Sequence, residues 1–276
     1  MLFKDLRFKG RSELEKAKIS SFKLDADLLL LHVTGKKETA LFLDGNENID
    51  YNTQREYLSL IQKRASHYPL AYITGYKEFW SLTLKVNEST LIPRPDTETL
   101  VETALKLPLQ GKVLDLGTGT GAIILSLKKE VPHIDAYGVD FKDEIVSLAR
   151  DNAILNNLDV NFFKSSWFDN VLDKDFNFIL SNPPYIKEGD LNLLSDGVLF
   201  EPSSALTSKN DGLYDIECII KNARDHLVND GYLLFEHGYD QADKVLALFT
   251  QYGYENVRSV RDLAGILRVT YAQKKG

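Results

Sequence analysis

The sequence predicts an α/β protein in which helices cover both faces of a largely parallel sheet, with a small helical bundle preceding it. From about residue 111 onward, strand-like and helix-like segments alternate, which is the pattern of strands joined by crossover helices. In the first 80 or so residues, apolar side chains recur at helical spacing instead. The chain has 276 residues, a length sufficient for two domains.

Residues 1–78 are predicted to form the helical bundle. Helical segments are expected at 12–17, where a cap residue precedes helix formers, at 24–33 and at 39–43. A further helix is expected at 53–65, where apolar and charged residues alternate at helical spacing. Gly35 is suited to ending the second of these helices, because glycine readily adopts the left-handed conformation of a helix C-terminus.

Residues 79–98 are predicted to connect the bundle to the sheet. Alternating apolar residues over 79–86 indicate a strand, and 89–92 are expected to pair with it as a hairpin. Prolines at positions 93 and 95 then interrupt the pattern before a helix over 96–107.

Residues 99–276 are predicted to form the sheet domain. Strands are expected at 112–116, 135–139, 159–163, 176–181, 231–236, 255–260 and 266–272. Helices are expected at 121–130, 143–156, 211–228 and 240–252. In sheets of this kind, ligands bind at the carboxyl ends of the central strands.

The most distinctive motif runs from Asn182 to Tyr185 and follows the apolar strand over 176–181. Its two prolines stiffen the turn, because proline fixes φ and holds the preceding residue extended. The turn is expected to present the Asn182 amide, the Pro183 carbonyl and the Tyr185 ring, with Pro184 holding its shape. Two acceptor oxygens and an aromatic face suit a planar group that carries an NH2. Asn182, Pro183 and Tyr185 are therefore the candidate catalytic residues, and the whole turn is the candidate substrate site.

A glycine-rich turn ends the first strand of the sheet domain. Alternating glycines permit close backbone approach, and the free N–H groups of the following helix favour a polar or anionic ligand. Position 122 is Ala, so the spacing differs from that of dinucleotide-binding turns. The candidate ligand-binding residues here are Asp115, Gly117, Thr118, Gly119, Thr120 and Gly121.

Asp140 ends the second strand, where a carboxylate commonly accepts hydrogen bonds from ribose hydroxyls. Asp115, Asp140 and Asn182 all follow strands that are expected to be parallel. Because such strands end at one edge of a sheet, these three residues are expected to share one site.

Composition narrows the possible functions. The net charge of −7 argues against binding of nucleic acid by the molecule as a whole. Cys218 is the one cysteine, which excludes an internal disulfide and is typical of a reducing cytoplasm. The five histidines lack metal-ligand spacing, and we see neither a signal peptide nor a membrane-spanning apolar run. We therefore expect no metal, no membrane association and no direct contact with nucleic acid.

In order, the glycine-rich turn, Asp140 and the Asn182–Tyr185 motif resemble those of class I S-adenosylmethionine-dependent methyltransferases acting on a planar amine or amide nitrogen. Further segments narrow the resemblance to the release factor glutamine methyltransferase family. They lie at 69–75, 78–79, 92–98, 149–153, 201–202, 205–206, 211–213 and 236–238. The resemblance covers nearly the whole chain.

The resemblance implies a Rossmann-like, seven-stranded class I methyltransferase sheet whose last hairpin carries an antiparallel strand. It implies S-adenosyl-L-methionine as cofactor and S-adenosyl-L-homocysteine as product. Asp115, the glycine-rich turn, Asp140 and Asn182 would bind this cofactor, and Trp167 would cover its adenine. The family more often has an acid where Ser166 stands.

The substrate implied by the resemblance is a class I peptide chain release factor. The methyl group would go to the side-chain amide nitrogen, N5, of the glutamine in its Gly-Gly-Gln loop, which modulates translation termination. The helical bundle would be the substrate-recognition domain of a cytoplasmic, monomeric enzyme.

The residues alone indicate only a planar NH2 acceptor and leave two alternatives. A DNA or RNA amino-methyltransferase would use the same turn on a flipped base, but no basic, aromatic-rich strip lies near the motif. A scaffold that binds cofactor without catalysis would not need the complete Asn182–Tyr185 motif. Sequence assigns no role to four further candidates: Phe79, Arg94, Glu201 and Glu236.

Overall fold

A computed structural model describes residues 1–190, 193 and 196–276 of the chain. They divide into two compact units. One unit takes in Met1–Gly75 and the described residues of 194–200, and the other takes in the described residues of 76–193 together with Glu201–Gly276.

The first unit is helical. Its helices are α1 (Phe3–Lys16), α2 (Phe22–Thr34), α3 (Ala40–Leu43), α4 (Tyr51–Ala65) and α5 (Leu70–Thr74), and a 3₁₀ turn covers Val198–Phe200. The predicted start of α1 at Ser12 is wrong, because Phe3, Leu6, Gly10 and Leu14 form one buried stripe that continues the helix upstream.

Helix α4 has a clear start signal and a buried charge. The Asp50 carboxylate caps it by accepting hydrogen bonds from the backbone N–H groups of Asn52 (2.9 Å) and Thr53 (3.1 Å). Near its other end, Arg64 is buried and donates to Asp25 at 2.7 Å and to Asp196 at 2.6 Å. Two carboxylates thus compensate a guanidinium that burial alone would strongly destabilise.

The second unit opens with a two-stranded hairpin, β1 (Tyr76–Phe79) and β2 (Leu82–Lys85). The predicted strand over 79–86 and its pairing with 89–92 are therefore wrong. The chain turns at Trp80 and Ser81, which both adopt left-handed φ values of 48° and 56°. A two-residue hairpin turn with both central residues left-handed matches the twist of the flanking strands.

This turn yields a stability prediction. Ser81→Gly is expected to stabilise the protein by about 1 kcal/mol, because glycine removes the left-handed penalty of a residue with a Cβ. For a domain of this size the gain corresponds to a rise in Tm of roughly 2–4 °C, measured by calorimetry. Ser20→Gly is the matched control, since Ser20 is exposed and not left-handed. An equal rise in both variants would contradict the turn argument.

The core of the second unit is a seven-stranded sheet. Its strands are β3 (Lys112–Leu116), β4 (Asp135–Asp140), β5 (Asn161–Lys164), β6 (Phe176–Ser181), β9 (Leu227–Glu236), β10 (Tyr254–Arg261) and β11 (Leu267–Lys274). Across the sheet the order of the strands is β10-β11-β9-β6-β3-β4-β5. Strands β9, β6, β3, β4 and β5 are mutually parallel, and β11 runs antiparallel to both of its neighbours, β9 and β10. The predicted fold class is confirmed.

Helices cover both faces of the sheet. They are α6 (Glu98–Leu105), α7 (Ala122–Glu130), α8 (Asp143–Leu155), α10 (Tyr214–Ala223) and α11 (Ala242–Gln251), with the short α9 (Lys209–Gly212) and 3₁₀ turns at Pro95–Thr97 and Ser203–Ala205. A small parallel pair, β7 (Ile186–Lys187) and β8 (Thr207–Ser208), follows the sixth strand.

Alternation along the strands separates two apolar cores. Val113 faces the core shared with α6, α7 and α8, whereas its neighbour Leu114 faces the core shared with α10 and α11. The predicted helix over 211–228 is shorter in the structure, because Asn210 and Asp211 are left-handed and break the helical path before Tyr214.

Candidate functional site

The register of the parallel strands brings the candidate residues to one edge of the sheet. Leu116 on β3 lies opposite Val139 on β4 and Ser181 on β6, and Ser181 lies opposite Phe235 on β9. The residues that follow these four positions are Gly117, Asp140, Asn182 and Glu236.

A cleft with a cavity volume of about 200 Å³ opens at this edge. That volume is far larger than a single water requires, so it suits an organic ligand. From the predicted site residues the cleft wall includes Gly117, Thr118, Gly119, Thr120, Asp140, Trp167, Asn182 and Pro184. Among the described residues, the wall does not include Asp115, Gly121, Pro183 or Tyr185.

The glycine-rich turn has the backbone shape that its composition predicts. Gly117, Gly119 and Gly121 have φ values of +67°, +54° and +84°. The Thr118 N–H donates to the Val139 carbonyl at 2.9 Å, which ties the turn to the neighbouring strand. A Cβ on Gly117 would lie 3.2 Å from the Trp167 ring, so a larger residue there would displace the ring from the cleft wall.

Asp115 lies beneath this turn. Its side chain is fully buried, and its Oδ2 accepts a hydrogen bond from the Thr118 hydroxyl at 2.6 Å. Burial raises the pKa of Asp115 to about 7, in opposition to the Thr118 hydrogen bond. Among the described residues, Asp115 Oδ1 has no hydrogen-bond partner. Asp115 therefore acts on the cleft through Thr118, which does line it.

Asp140 lies on the cleft wall and orders the backbone around it. Its Oδ2 accepts from the Gly119 N–H at 3.0 Å, and its Oδ1 accepts from the Phe141 N–H at 2.9 Å. Burial raises the pKa of Asp140, and the two backbone hydrogen bonds lower it. Each carboxylate oxygen still has a lone pair for a ligand hydroxyl.

Trp167 reaches the cleft from the loop after β5. Its backbone is left-handed, with a φ of 47°, and its carbonyl accepts from the Ser165 hydroxyl at 2.8 Å. Ser165 also accepts from the Asn170 N–H at 3.0 Å, which closes the turn around the indole. Ser166 lines the cleft beside it.

The Asn182–Tyr185 turn directs one amide into the cleft. Asn182 Nδ2 donates to the Thr97 hydroxyl at 3.1 Å, which leaves Oδ1 without that partner and available as an acceptor. Tyr185 instead points away from the wall, and its hydroxyl donates to Glu236 Oε1 at 3.0 Å. Burial is the main cause that raises the pKa of the Tyr185 phenol.

Hydrogen bonds from the Gln241 side chain hold the end of this turn in place. Gln241 Nε2 donates to the carbonyls of Tyr185 (3.0 Å) and Asp211 (3.1 Å), and its Oε1 accepts from the Gly238 N–H at 2.8 Å. Gly212 packs against the same carbonyl, since a Cβ there would lie 2.0 Å from Tyr185 O. The position of the turn thus depends on distant segments of the chain.

Two residues that support the site had no role assigned from the sequence: Glu201 was a candidate without a role, and Asn152 was missed. Glu201 is buried, accepts from the Ile92 N–H at 3.0 Å and pairs with Arg94. Asn152 is also buried, and its amide donates to the Thr120 carbonyl at 2.9 Å. Both belong to segments that resemble the family, but nothing in their local pattern predicts these long-range contacts.

No group of three or more His, Cys, Asp or Glu side chains in the described part of the chain could hold a metal ion. None of the helices within the described ranges combines the length and the apolar character needed to cross a membrane.

Comparisons with known proteins agree on one family. Residues 95–214 match the methyltransferase small domain model, and residues 5–75 match the model of the PrmC N-terminal domain. The release factor glutamine methyltransferase of Vibrio cholerae is 45% identical over 267 residues, covering 95% of this chain and 93% of that protein. Those of Aliivibrio fischeri and Escherichia coli are 42% and 43% identical, covering 91% and 89% of this chain and 89% and 90% of theirs.

The chain belongs to the release factor glutamine methyltransferase family. The predicted family is thereby confirmed. This member of the family shares its fold with a methyltransferase from Pyrococcus furiosus, at a TM-score of 0.56 and 19% identity over 81% of this chain and 100% of that one. A Thermus thermophilus 16S rRNA methyltransferase, solved with AdoMet and guanosine, gives a TM-score of 0.53 at 16% identity over 72% of this chain and 50% of that one.

Proposed function

We propose that this protein transfers a methyl group from S-adenosyl-L-methionine to the side-chain amide nitrogen of the glutamine in the Gly-Gly-Gln loop of peptide chain release factors. The observation that carries the proposal is the juxtaposition of Asn182, whose Nδ2 is bound to Thr97, with Gly119 and Asp140 on one cleft wall. A donor site and an amide acceptor therefore open on the same space.

The cleft residues fit the cofactor. Gly117 leaves room for the Trp167 ring, which offers an apolar face for adenine. Asp140 offers carboxylate oxygens for the ribose hydroxyls. Thr118, Gly119 and Thr120 line the part of the cleft next to α7, where polar ends are favoured. When bound, S-adenosylmethionine supplies the methyl group, and S-adenosylhomocysteine is the product.

The Asn182 turn would help an amide nitrogen to react. Such a nitrogen is a weak nucleophile because its lone pair is delocalised. Asn182 Oδ1 and the Pro183 carbonyl would accept the two N–H groups of the glutamine amide. These hydrogen bonds orient the nitrogen and stabilise positive charge as it develops there. Orientation of the reactants contributes on the order of 7–11 kcal/mol in favourable cases.

The two units would bind different ligands. We propose that residues 1–78 bind the release factor, that the linker over 79–98 connects them to the methyltransferase domain, and that residues 99–276 bind the cofactor. A release factor substrate and the single cysteine fit a cytoplasmic enzyme. We expect it to act as a monomer.

A labelling experiment tests the proposal. The protein is incubated with S-adenosylmethionine carrying a radioactive methyl group, and with a class I release factor, its Gly-Gly-Ala loop variant, or nucleic acid. Label is expected on the release factor and not on the loop variant. Label on nucleic acid alone would reassign the enzyme to base methylation, and binding of cofactor with no transfer to any acceptor would leave only a scaffold.

The cofactor assignment makes a separate prediction. Asp140→Ala is expected to weaken binding of S-adenosylhomocysteine by about 10- to 100-fold, the usual cost of losing hydrogen bonds to a charged group. Isothermal titration calorimetry measures the change in Kd. Asp143→Ala serves as control, because its side chain is 79% exposed and contacts Lys164 rather than the cleft. If the two variants bound S-adenosylhomocysteine with equal affinity, Asp140 would not be part of the cofactor site.

A further inference from the structure

We propose that Glu201 is a positioning residue that holds two segments of the cleft wall together and thereby determines how tightly the cofactor binds. The proposal rests on the function proposed above, because it takes the ligand of the cleft to be S-adenosylmethionine. In the described part of the chain, Glu201 is not itself among the cleft-lining residues. Its carboxylate acts through two segments that do line the cleft.

The first of these segments covers residues 89–93. Residues 91–94, all of them described, belong to neither a helix nor a strand. Pro93 and Pro95 carry no backbone N–H, which leaves few donors for strand pairing. The segment therefore depends on a partner from elsewhere in the chain to fix its position. Four of its residues form part of the cleft wall: Ser89, Thr90, Leu91 and Pro93.

Glu201 is that partner. Its Oε2 accepts from the Ile92 N–H at 3.0 Å, and its Oε1 accepts from the Arg94 guanidinium. The Glu201 side chain is 1% exposed, whereas that of Arg94 is 36% exposed. Both oxygens of this buried carboxylate thus have donors, one of them charged, which compensates the cost of burying the charge. Because Ile92 lies between two cleft-lining residues, Glu201 fixes their position as well.

The second segment follows Glu201 directly in the chain. The Pro202 carbonyl accepts from the Ala205 N–H at 2.9 Å, which closes the 3₁₀ turn Ser203–Ala205. Ser204 and Ala205 of this turn line the cleft. Since proline restricts the backbone between Glu201 and the turn, the carboxylate and the turn are held in a fixed relation. Glu201 therefore joins two parts of the wall through contacts that span 107 and 109 residues.

This arrangement predicts an effect on cofactor affinity. A ligand of the cleft needs both segments in place, and its apparent Kd rises as the fraction of molecules with an ordered wall falls. Loss of one hydrogen bond to a charged group lowers that fraction by about 10- to 100-fold. Once the cofactor is bound, its own contacts hold the wall. Turnover at a saturating cofactor concentration should therefore change little.

Paired variants test the inference. Glu201→Gln keeps the size of the side chain and replaces one acceptor oxygen with an NH2 that faces a donor. Arg94→Met removes the guanidinium, whereas Arg94→Lys keeps the charge. Asp262→Asn is the matched control, because the Asp262 side chain is also buried, accepts from the Ile266 N–H at 2.9 Å and pairs with Arg268 at 3.4 Å. Within the described ranges, Asp262 is not part of the cleft wall.

We expect Glu201→Gln and Arg94→Met each to raise the calorimetric Kd for S-adenosylhomocysteine by about 10- to 100-fold. Arg94→Lys should stay within about 5-fold of the unaltered protein, and Asp262→Asn within about 3-fold. The KM for S-adenosylmethionine should follow Kd, while kcat at saturation changes by less than about 3-fold. A merely structural role would lower Tm and the binding stoichiometry, and would leave the Kd of the folded fraction unchanged.

The outcomes separate the two proposals. If the unaltered protein binds S-adenosylhomocysteine and both Glu201→Gln and Arg94→Met bind it equally well, the positioning role is wrong and the proposed function stands. A fall in kcat as large as the rise in Kd would also contradict it. If Glu201→Gln does not fold, Arg94→Met decides the matter, because Arg94 is partly exposed. If the unaltered protein binds no S-adenosylhomocysteine, the proposed function itself fails.

Discussion

Replacing Asn182 with alanine is expected to lower kcat for release factor methylation by about 10²–10³-fold, the range found when one preorganised hydrogen-bonding group is removed from a reacting centre. The reason is that Asn182 Oδ1 would hold and polarise the amide nitrogen of the substrate. Asn182 is one of many residues that line the cofactor cleft. Binding of S-adenosylhomocysteine, measured by calorimetry, should therefore weaken by less than about 5-fold.

Asn177→Ala is the matched control on the same strand. Asn177 lies near the opposite end of β6, where its Oδ1 accepts from the Lys112 N–H at 3.0 Å. Its loss should cost stability and leave kcat unchanged. If Asn182→Ala weakened cofactor binding as much as turnover, Asn182 would be part of the donor site and not the amide acceptor.

Gly212→Ala is expected to damage both the stability and the activity of the enzyme, although Gly212 lies outside the cleft. A Cβ at this position would lie 2.0 Å from the Tyr185 carbonyl oxygen and 2.7 Å from Gln241 Nε2, and the backbone has a φ of +84°. Left-handed strain costs about 1–2 kcal/mol, and overpacking adds roughly 1–3 kcal/mol. Displacing the Asn182–Tyr185 turn by about 1 Å can lower turnover by about 10²-fold.

Gly189→Ala isolates the contribution of the contact. Gly189 has a φ of +80°, and a Cβ there would meet no atom within 4 Å. This variant should show the left-handed penalty alone, about 1–2 kcal/mol in urea unfolding, with kcat close to that of the unaltered enzyme. Similar kcat values for the two alanine variants would show that contact with Tyr185 does not position the turn.

Local patterns identified the strands because burial and alternation act within a few residues. Phe176–Ser181 is apolar on both faces, as expected for a central parallel strand, and the structure has β6 over the same residues. The helix boundaries were less accurate. The start of α1 depends on buried contacts, and the start of the 211–228 helix depends on left-handed residues; local propensity reveals neither.

Some features of the functional site were likewise predicted from the sequence, and others were not. Alternating glycines and paired prolines are backbone requirements, so the glycine-rich turn and the Asn182 turn could be found directly. The hairpin was misplaced because left-handed φ values at Trp80 and Ser81 are unusual for such residues. Thr97 and Gln241 were missed because a buried threonine and a buried glutamine have no distinguishing local pattern.

The linear order of residues was sufficient for the fold class and the two turns, because both follow from spacing along the chain. It was sufficient for the family because the motifs resemble those of known members. Only the assembled sheet determined three features of the site. These are the burial of Asp115, the position of the Tyr185 side chain away from the cleft, and the hydrogen-bond partners of Asn182. These features depend on which side chains meet after strands far apart in the chain align in register. Packing determines which residues that are far apart in the sequence become hydrogen-bond partners, and the local sequence pattern does not reveal these pairs.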